Sequence, residues 1–264
     1  MNSRGIGKQG PLKFNTQNGD DDLAMQALLL NGFNNMRKIL MDKKPHIKEY
    51  QKIRKMHGKI VDAMIQYHDA GKFKRKIDTS IVQETKPENI RLLETDFDFK
   101  TDEGKQAYYD LMVYKTASNM SCITEDFIQN RRYKKPDETE FLRSMLDSKL
   151  GLFEITGTDM EEGYAYIKDV FTGDKYTIID IALSGQERQQ YSTIYLYTRI
   201  ITYRDISFGS GLNLIFDKKD KFIKRHILEH KKDFKPAGEF LRFTELYNHF
   251  CKHDSRIKVI TNEL

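Results

Sequence analysis

The fold class follows from residues 151–216, which open with GLFEITG (151–157), continue with GYAYIKDVFTGDKYTIIDIAL (163–183) and end with YSTIYLYTRIITYRDISFGSGLNLIF (191–216). Apolar or aromatic side chains recur there at every second position, a period typical of β-strands. The pairs are Phe153/Ile155, Tyr164/Tyr166, Tyr176/Ile178 and Ile194/Leu196. A tight turn is predicted at residues 172–174 and a polar loop at residues 185–190. About five strands with short connections predict a small antiparallel β-barrel of the SH3-like or OB-like kind, closed or nearly closed.

The chain on both sides of this β region follows a period of about 3.6 residues, which predicts an α+β protein. Pro45 fits the first turn of one helix and Gly71 its end. Shorter helices are predicted at residues 102–119, 123–132 and 139–150, and the helical pattern returns from Lys218, with breaks at Pro236 and Gly238. We expect a flexible N-terminus at residues 1–19, a helical domain at 20–150, the barrel domain at 151–216 and a C-terminal helical extension at 217–264.

The composition of the chain is that of a globular protein with a charged surface. Its 264 residues are 39% hydrophobic and 31% charged, which suffices for one or two domains. No secretory signal is recognisable, and no apolar run approaches the roughly 20 residues needed to span a bilayer. Only two cysteines occur, Cys122 and Cys251, so a reducing compartment is favoured over a disulfide framework. We expect a cytoplasmic protein with no membrane partner and no resident cofactor.

The formal net charge of +5 is distributed unevenly. Residues 31–76 contain 13 basic and 4 acidic side chains, and residues 217–235 contain 8 basic and 4 acidic ones. The β region contains 5 basic and 9 acidic side chains, so the positive charge belongs to the helices. Segregated charge is an argument about partners. We expect an acidic partner or nucleic acid at the basic helices and a protein partner at the acidic barrel.

Lysine and arginine side chains that neutralise phosphates give nucleic-acid affinity that falls with salt. The densest group of predicted binding residues is Lys52, Arg54, Lys55, Lys59, Lys72, Lys74, Arg75 and Lys76. The second group is Lys218, Lys219, Lys221, Lys224 and Arg225. The tyrosines of the β region could stack bases, but its acidic charge would repel a nucleic-acid backbone. The leading hypothesis is therefore a non-catalytic binding or regulatory protein.

The competing hypothesis is an enzyme, because His68-Asp69 resembles the central pair of HD-type phosphohydrolases. The resemblance implies a metal held by this pair and by an upstream histidine, His46 or His57, with the metal activating water for attack on a phosphoester. These histidines are eleven residues apart, so neighbours lie about 16 Å from each other on a continuous helix. Only a break near Gly58 would bring them together. The alternative is that His57 and His68 lie on the semi-apolar face of a basic helix.

A zinc site is a further alternative near the end of the chain. His226 and His230 are four residues apart on a predicted helix, and Cys251 and His253 follow; residues of these types can share a zinc ion. The order HILEH is not HExxH, which excludes a metalloprotease of the zincin kind. Neighbouring lysines disfavour a cation, so the competing interpretation is a solvated basic helix.

The β region also resembles a β-module of uncharacterised bacterial proteins, some of which carry a C-terminal SEC-C zinc motif. The shared features are the opening GLF, an acidic turn with Gly163, then Asp169 and the TGD turn at residues 172–174. The cysteine cluster of the SEC-C motif is absent from this chain. The resemblance implies a bacterial or phage-related accessory protein, and it implies no reaction and no site residues.

Overall fold

A computed structural model of the chain describes residues 43–71, 102–114, 121–130, 135–230 and 238–252. The predicted flexible segment 1–19 lies outside these residues. The secondary-structure elements given below belong to one compact unit that begins at Pro45. No helix among the described residues combines the length and apolar character that a membrane span requires.

Four helices precede the sheet: α1 (Pro45–Asp69), α2 (Asp102–Val113), α3 (Ile123–Asn130) and α4 (Pro136–Leu146). The start of α1 at Pro45 and the turn at Gly71, where φ is +67°, confirm the prediction for this helix. The prediction of a helix at residues 139–150 is wrong at both ends. Proline fits the first turn, so α4 begins at Pro136, and a strand already begins at Lys149.

The sheet contains β1 (Lys149–Asp159), β2 (Tyr164–Asp169), β3 (Lys175–Ile179), β4 (Ile194–Tyr203) and β5 (Ile206–Asp217). All paired strands are antiparallel, and their spatial order is β3-β2-β1-β4-β5. The predicted turn between β2 and β3 is present, with Gly173 at a φ of +81°. The mixed helix and strand content and the five strands confirm the α+β class.

The barrel itself is not confirmed, because hydrogen-bonded pairing ends at β3 on one side and β5 on the other. The sheet curls enough that Cα atoms of β3 and β5 approach within 8 Å, yet no ladder joins them. Helix α1 lies against β5 instead. Arg54 donates a hydrogen bond of 2.9 Å to the backbone carbonyl of Gly209, and Tyr50 contacts the ring of Phe208. An edge strand covered in this way is protected from pairing with another chain.

The predicted polar loop at residues 185–190 is confirmed only at residues 185–187, which separate two short helices, α5 (Ile181–Ser184) and α6 (Arg188–Tyr191). Asp180 caps α5 by accepting a hydrogen bond from the backbone N–H of Leu183. Glu187 and Gln190 form a reciprocal capping box on α6. Side-chain caps stabilise helices that are too short to persist alone.

Two further helices, α7 (Lys221–His230) and α8 (Gly238–Lys252), follow the sheet. Together with α2 they cover one face of β1, β4 and β5, where Leu152, Leu214 and Phe243 are among the buried side chains. We call this the helix-covered face. The opposite face packs against α5 and α6 around Phe153, Ile167 and Ile178, and we call it the apolar face. Because the sheet is buried on both faces, it supports side chains on either side rigidly.

Candidate functional site

An irregularity in β5 marks the helix-covered face. The register between β4 and β5 shifts next to Arg199, so that residues 210–212 bulge out of the regular ladder. Gly211 at the centre of the bulge has a φ of +117°, a backbone conformation that residues other than glycine rarely adopt. Bulges re-aim the side chains around them and are frequent next to functional sites.

The bulge places Ser210 beside a buried ion pair. Arg199 is 0% exposed, and its Nε donates a hydrogen bond of 2.9 Å to Oδ1 of Asp110 on α2. The hydroxyl of Ser210 donates a hydrogen bond of 2.8 Å to Oδ2 of the same carboxylate. The guanidinium of Arg199 also lies over the ring of Tyr114, 4.9 Å from its centroid. One arginine thus connects α2, β4 and the bulge of β5.

Further acidic and basic side chains lie beyond the ion pair of Arg199 and Asp110. Oε1 of Glu239 on α8 lies 3.8 Å from the guanidinium of Arg199, and burial raises the pKa of Glu239 while Arg199 and Arg242 oppose that rise. Burial also raises the pKa of Asp169, although it accepts two backbone hydrogen bonds and lies near Arg242. Burial alone would lower the pKa of Arg199, but Asp110 and Glu239 outweigh it and the pKa is raised. The arginine is therefore charged at every physiological pH.

A cleft of about 370 Å³ opens beside the bulge, between α1, α2 and β5. Val61, Ile65 and Leu212 supply apolar walls, and Asp110 and Ser210 supply polar atoms. Its volume lies within the range of small-molecule sites, and its lining is mostly apolar with a few polar groups, as in such sites. The cleft therefore has the volume and lining of a small-molecule site, and the hydroxyl of Ser210 with the carboxylate of Asp110 supplies a hydrogen-bonded polar pair in it.

His57 lines this cleft but not as part of an HD site. Its Nε2 is joined to the hydroxyl of Tyr114 by a hydrogen bond of 2.6 Å, and it packs against Phe141 and Phe208. Burial, assisted by the charge of Arg54, lowers its pKa to about 3. The imidazole is therefore neutral near pH 7 and acts as a hydrogen-bonding core residue.

The structure does not bring the HD-type residues together. Helix α1 is continuous through Gly58, so the three histidines remain about 16 Å apart from one to the next. His46 contacts the backbone carbonyl of Glu162 at 2.9 Å, and His68 lies 3.1 Å from Oδ1 of Asp69. Since the three imidazoles have separate surroundings, they cannot share a metal as the alternative requires.

Helix α1 separates its basic side chains between two sides. Arg54 faces inward, where it bonds the carbonyl of Gly209 and lies over the ring of Phe208. Lys52, Lys55 and Lys59 are exposed, and Lys48, which the sequence analysis did not select, is exposed on the same side. Their spacing of four, three and four residues places them within about 60° around the helix axis. We call Lys48, Lys52, Lys55 and Lys59 the lysine row.

The remaining predicted basic residues differ in their surroundings. Lys218 is half-buried and bonds Oε1 of Glu154 at 2.6 Å, whereas Lys219, Lys221 and Lys224 are exposed. Arg225 is exposed too, 3.8 Å from Oε1 of Glu229. The other predicted residues of the first group lie outside the described residues; they are Lys72, Lys74, Arg75 and Lys76.

The predicted zinc ligands are brought together only in part. His226 and His230 lie side by side on α7, and their nearest carboxylate is Glu245 of α8, which the sequence analysis did not select. Burial lowers the pKa of His226, and the two imidazoles beside Glu245 hold the pKa of that carboxyl well below its usual range. Cys251 is exposed and is not part of a disulfide bond, and His253 lies outside the described residues.

One family model matches most of the chain. The model described as "Family of unknown function (DUF7986)" matches residues 44–259. The chain belongs to this family. No curated protein and no solved structure matches the chain. The DUF7986 match spans the helices and the sheet together, and it does not support the resemblance of the β region to proteins with SEC-C motifs.

The DUF7986 region includes the lysine row, the bulge and the histidine pair, so the family match covers every site described above. Sequence reasoning missed Asp110 and Arg199, although one signal was present. Arg199 is two residues from Tyr197, so both side chains lie on the same face of a strand that is apolar at nearly every position. An arginine in such a strand is expected to be buried and therefore to be paired with a carboxylate. The glycines in FGSG were a second signal, because glycine inside a strand often marks a bulge.

Proposed function

We propose that this protein binds nucleic acid through the lysine row of α1. The observation that carries the proposal is the row itself: four exposed lysines at positions i, i+4, i+7 and i+11 of one helix. They extend over about 16 Å, which corresponds to roughly half a turn of B-form DNA. A basic stripe along one helix is the electrostatic footprint expected of a protein that contacts phosphates.

The row is held in place by the opposite side of α1, which is buried. Ile47, Tyr50, Ile53 and Met64 pack into the protein, so the helix cannot rotate its lysines away from solvent. Within the described part of α1, one lysine of the row, Lys52, approaches a carboxylate, that of Glu49 at 3.2 Å. This pair is exposed and contributes little, so a phosphate can replace the carboxylate.

The proposal concerns the phosphate backbone and no particular base sequence. Lysines act as point charges on phosphates, which gives affinity without sequence readout. Four neutralised phosphates predict a slope of about −3.6 for the logarithm of affinity against the logarithm of salt concentration. Affinity should therefore fall about 100-fold between 50 and 200 mM salt.

The test is fluorescence anisotropy with a labelled 20-base-pair duplex at several salt concentrations. We expect Lys55→Glu/Lys59→Glu to weaken binding at least ~10-fold and to reduce the salt slope by about 2. The matched control is Lys168→Glu/Lys175→Glu, an exposed pair facing each other across β2 and β3. Both variants change the net charge by the same amount. Equal weakening by both would mean that only net charge matters, and an undetectable wild-type complex would refute the proposal.

A second variant tests the other basic group. Lys221→Glu/Lys224→Glu reverses two exposed charges on α7. A loss of affinity comparable to that of the α1 variant would mean that the nucleic-acid-binding surface extends to α7. Binding like that of the control variant would mean that the surface is confined to the lysine row. Protein contact by the β region stays a prediction; Tyr166, 39% exposed on β2, is a large exposed side chain in keeping with it.

A further inference from the structure

The histidine pair of α7 and Glu245 of α8 place three donor atoms around one point. Nδ1 of His226 and Nε2 of His230 each lie 3.1 Å from Oε2 of Glu245. All three atoms lie within 4.8 Å of one another. Ligands at 2.0–2.1 Å from a tetrahedral zinc ion are about 3.3 Å apart. The two nitrogen–oxygen separations are therefore close to those of ligands on one ion, and the separation of the two nitrogens is at most 4.8 Å.

His226 supplies the second observation. It is 1% exposed, and neither of its ring nitrogens makes a hydrogen bond of ordinary geometry within the part of the chain that the structure describes. Nδ1 is close to the carboxylate of Glu245, but the angle is not that of a hydrogen bond. A buried polar atom without such a bond is costly, and a shared cation between the three donors would satisfy Nδ1 of His226.

The rings around His226 hold it in one orientation. Phe222 stacks on the imidazole at an interplanar angle of 18°, and Phe171 contacts it edge-on at 76°. Because a ligand ring that is fixed in advance loses little freedom on binding, this packing favours coordination. The protein therefore supplies two helices, three donors and a rigid apolar surrounding for one ion.

We propose that His226, His230 and Glu245 form a binding site for a divalent transition-metal ion of the zinc type. Two imidazoles and one carboxylate suit zinc and its neighbours, whereas calcium and magnesium prefer oxygen ligands alone. Three protein ligands leave a fourth position for water or another ligand. The site differs from the one that the sequence predicted, because Glu245 replaces Cys251 and His253 in the ligand set.

The site is independent of the lysine row and of the proposed nucleic-acid binding. The charged side chains nearby are Arg242, which opposes a cation, and Glu245, which attracts one. Without a metal the same three residues would form a polar clamp between α7 and α8. The experiment must therefore distinguish a metal site from a hydrogen-bonded clamp.

The test uses the full chain without a histidine tag, stripped with a chelator and then titrated with Zn²⁺. We expect one equivalent of zinc by elemental analysis and a higher melting temperature on binding, since a ligand that binds the folded state stabilises it. Glu245→Gln and His230→Gln should each weaken zinc affinity at least ~100-fold, because loss of a mere outer-shell partner already costs 10–100-fold. His249→Gln is the matched control, since His249 belongs to the same helix pair but bonds Asp220 at 2.7 Å.

Cobalt absorption keeps the proposal testable if a variant does not fold. Co²⁺ in the wild-type protein should give the visible bands of nitrogen and oxygen ligation without a thiolate charge-transfer band. Cys251→Ser should leave that spectrum unchanged. Absence of bound zinc in the wild type, or equal binding by the wild type and the Glu245 and His230 variants, would overturn the proposal and leave the clamp. A thiolate band lost in Cys251→Ser would overturn the proposed ligand set.

Discussion

The two faces of the same sheet are buried in different ways. On the apolar face, Phe153, Ile155 and Ile167 pack with other aliphatic and aromatic side chains. On the helix-covered face, Arg199 and Asp110 are 0% and 4% exposed. Burying charges costs free energy that well-packed apolar side chains would not. The comparison teaches that one face serves stability alone, while the other carries polar groups at a cost.

Both candidate small-ligand features lie on the helix-covered face. The cleft borders the bulge of β5, and His226 of α7 contacts Phe171 and Phe222 at the edge of the same core. The hydroxyl of Tyr197, buried on this face, has no hydrogen-bond partner among the described residues. Groups that lower stability are typical of functional surfaces. The lysine row is outside this comparison, because it is exposed on α1.

The largest effect should come from breaking the buried ion pair. Arg199→Met retains much of the side-chain volume but leaves Asp110 charged and buried, so we expect a loss of about 3–5 kcal/mol in the free energy of unfolding. Urea denaturation at pH 7 measures it. Adding Asp110→Asn to this variant should recover part of the loss, because the uncompensated charge is then removed. The contrary result would be a double variant that is less stable than Arg199→Met by as much as Asp110→Asn alone destabilises the wild type. The two residues would then not be coupled.

A smaller effect should appear when the pH is lowered. The pKa of His57 falls from 6.5 in the unfolded chain to about 3 in the folded one, so the unfolded state binds more protons between these values. Stability is therefore fully present above pH 6.5 and is lost as the pH falls toward 3. The loss from pH 7 to pH 5 attributable to His57 should be about 2 kcal/mol.

The measurement compares unfolding at pH 7 and pH 5 in the wild type and in His57→Gln. Glutamine retains a hydrogen-bonding group near the hydroxyl of Tyr114 but does not titrate, so the variant should show about 2 kcal/mol less dependence on pH. An unchanged pH dependence would show that other groups whose pKa folding lowers, such as His226, cause the loss. His68→Gln is the control, because this half-exposed histidine is on the same helix.

Elements with local signals could be predicted from the sequence. The proline that begins α1, the glycine that ends it and the alternation in β1 to β4 act over a few residues, and the structure confirms them. The open sheet could not be predicted. Whether β3 pairs with β5 depends on what covers β5, and Arg54 of a distant helix takes the carbonyl of Gly209. A tertiary contact of this kind produces no periodic pattern in the sequence.

The candidate sites were predictable to a smaller degree for the same reason. Three of the four lysines in the row could be selected because charge density is visible in the sequence. Arg54 was selected too, although it faces inward. Charge density along the sequence does not show which side of a helix is covered by the rest of the protein. Glu245 is 15 residues from His230, on another helix, so its proximity arises only when α7 and α8 pack together. The same holds for Asp110 and Arg199.

The smallest effect sharpens the comparison from the apolar face. Ile167→Val removes one methylene group from a side chain that is 1% exposed, so we expect a loss of about 1 kcal/mol at pH 7. The loss should be the same at pH 5, because the side chains of this cluster are aliphatic, Phe or Tyr, and none of these ordinarily titrates between pH 5 and pH 7. Ile223→Val on α7, 0% exposed, is the matched change on the helix-covered face. Similar losses would mean that the two faces are equally well packed and differ only in their polar groups. A much smaller loss for Ile223→Val would mean that the polar groups also loosen the packing around them. A loss at Ile167 that grows on acidification would contradict the view that the apolar face serves stability alone.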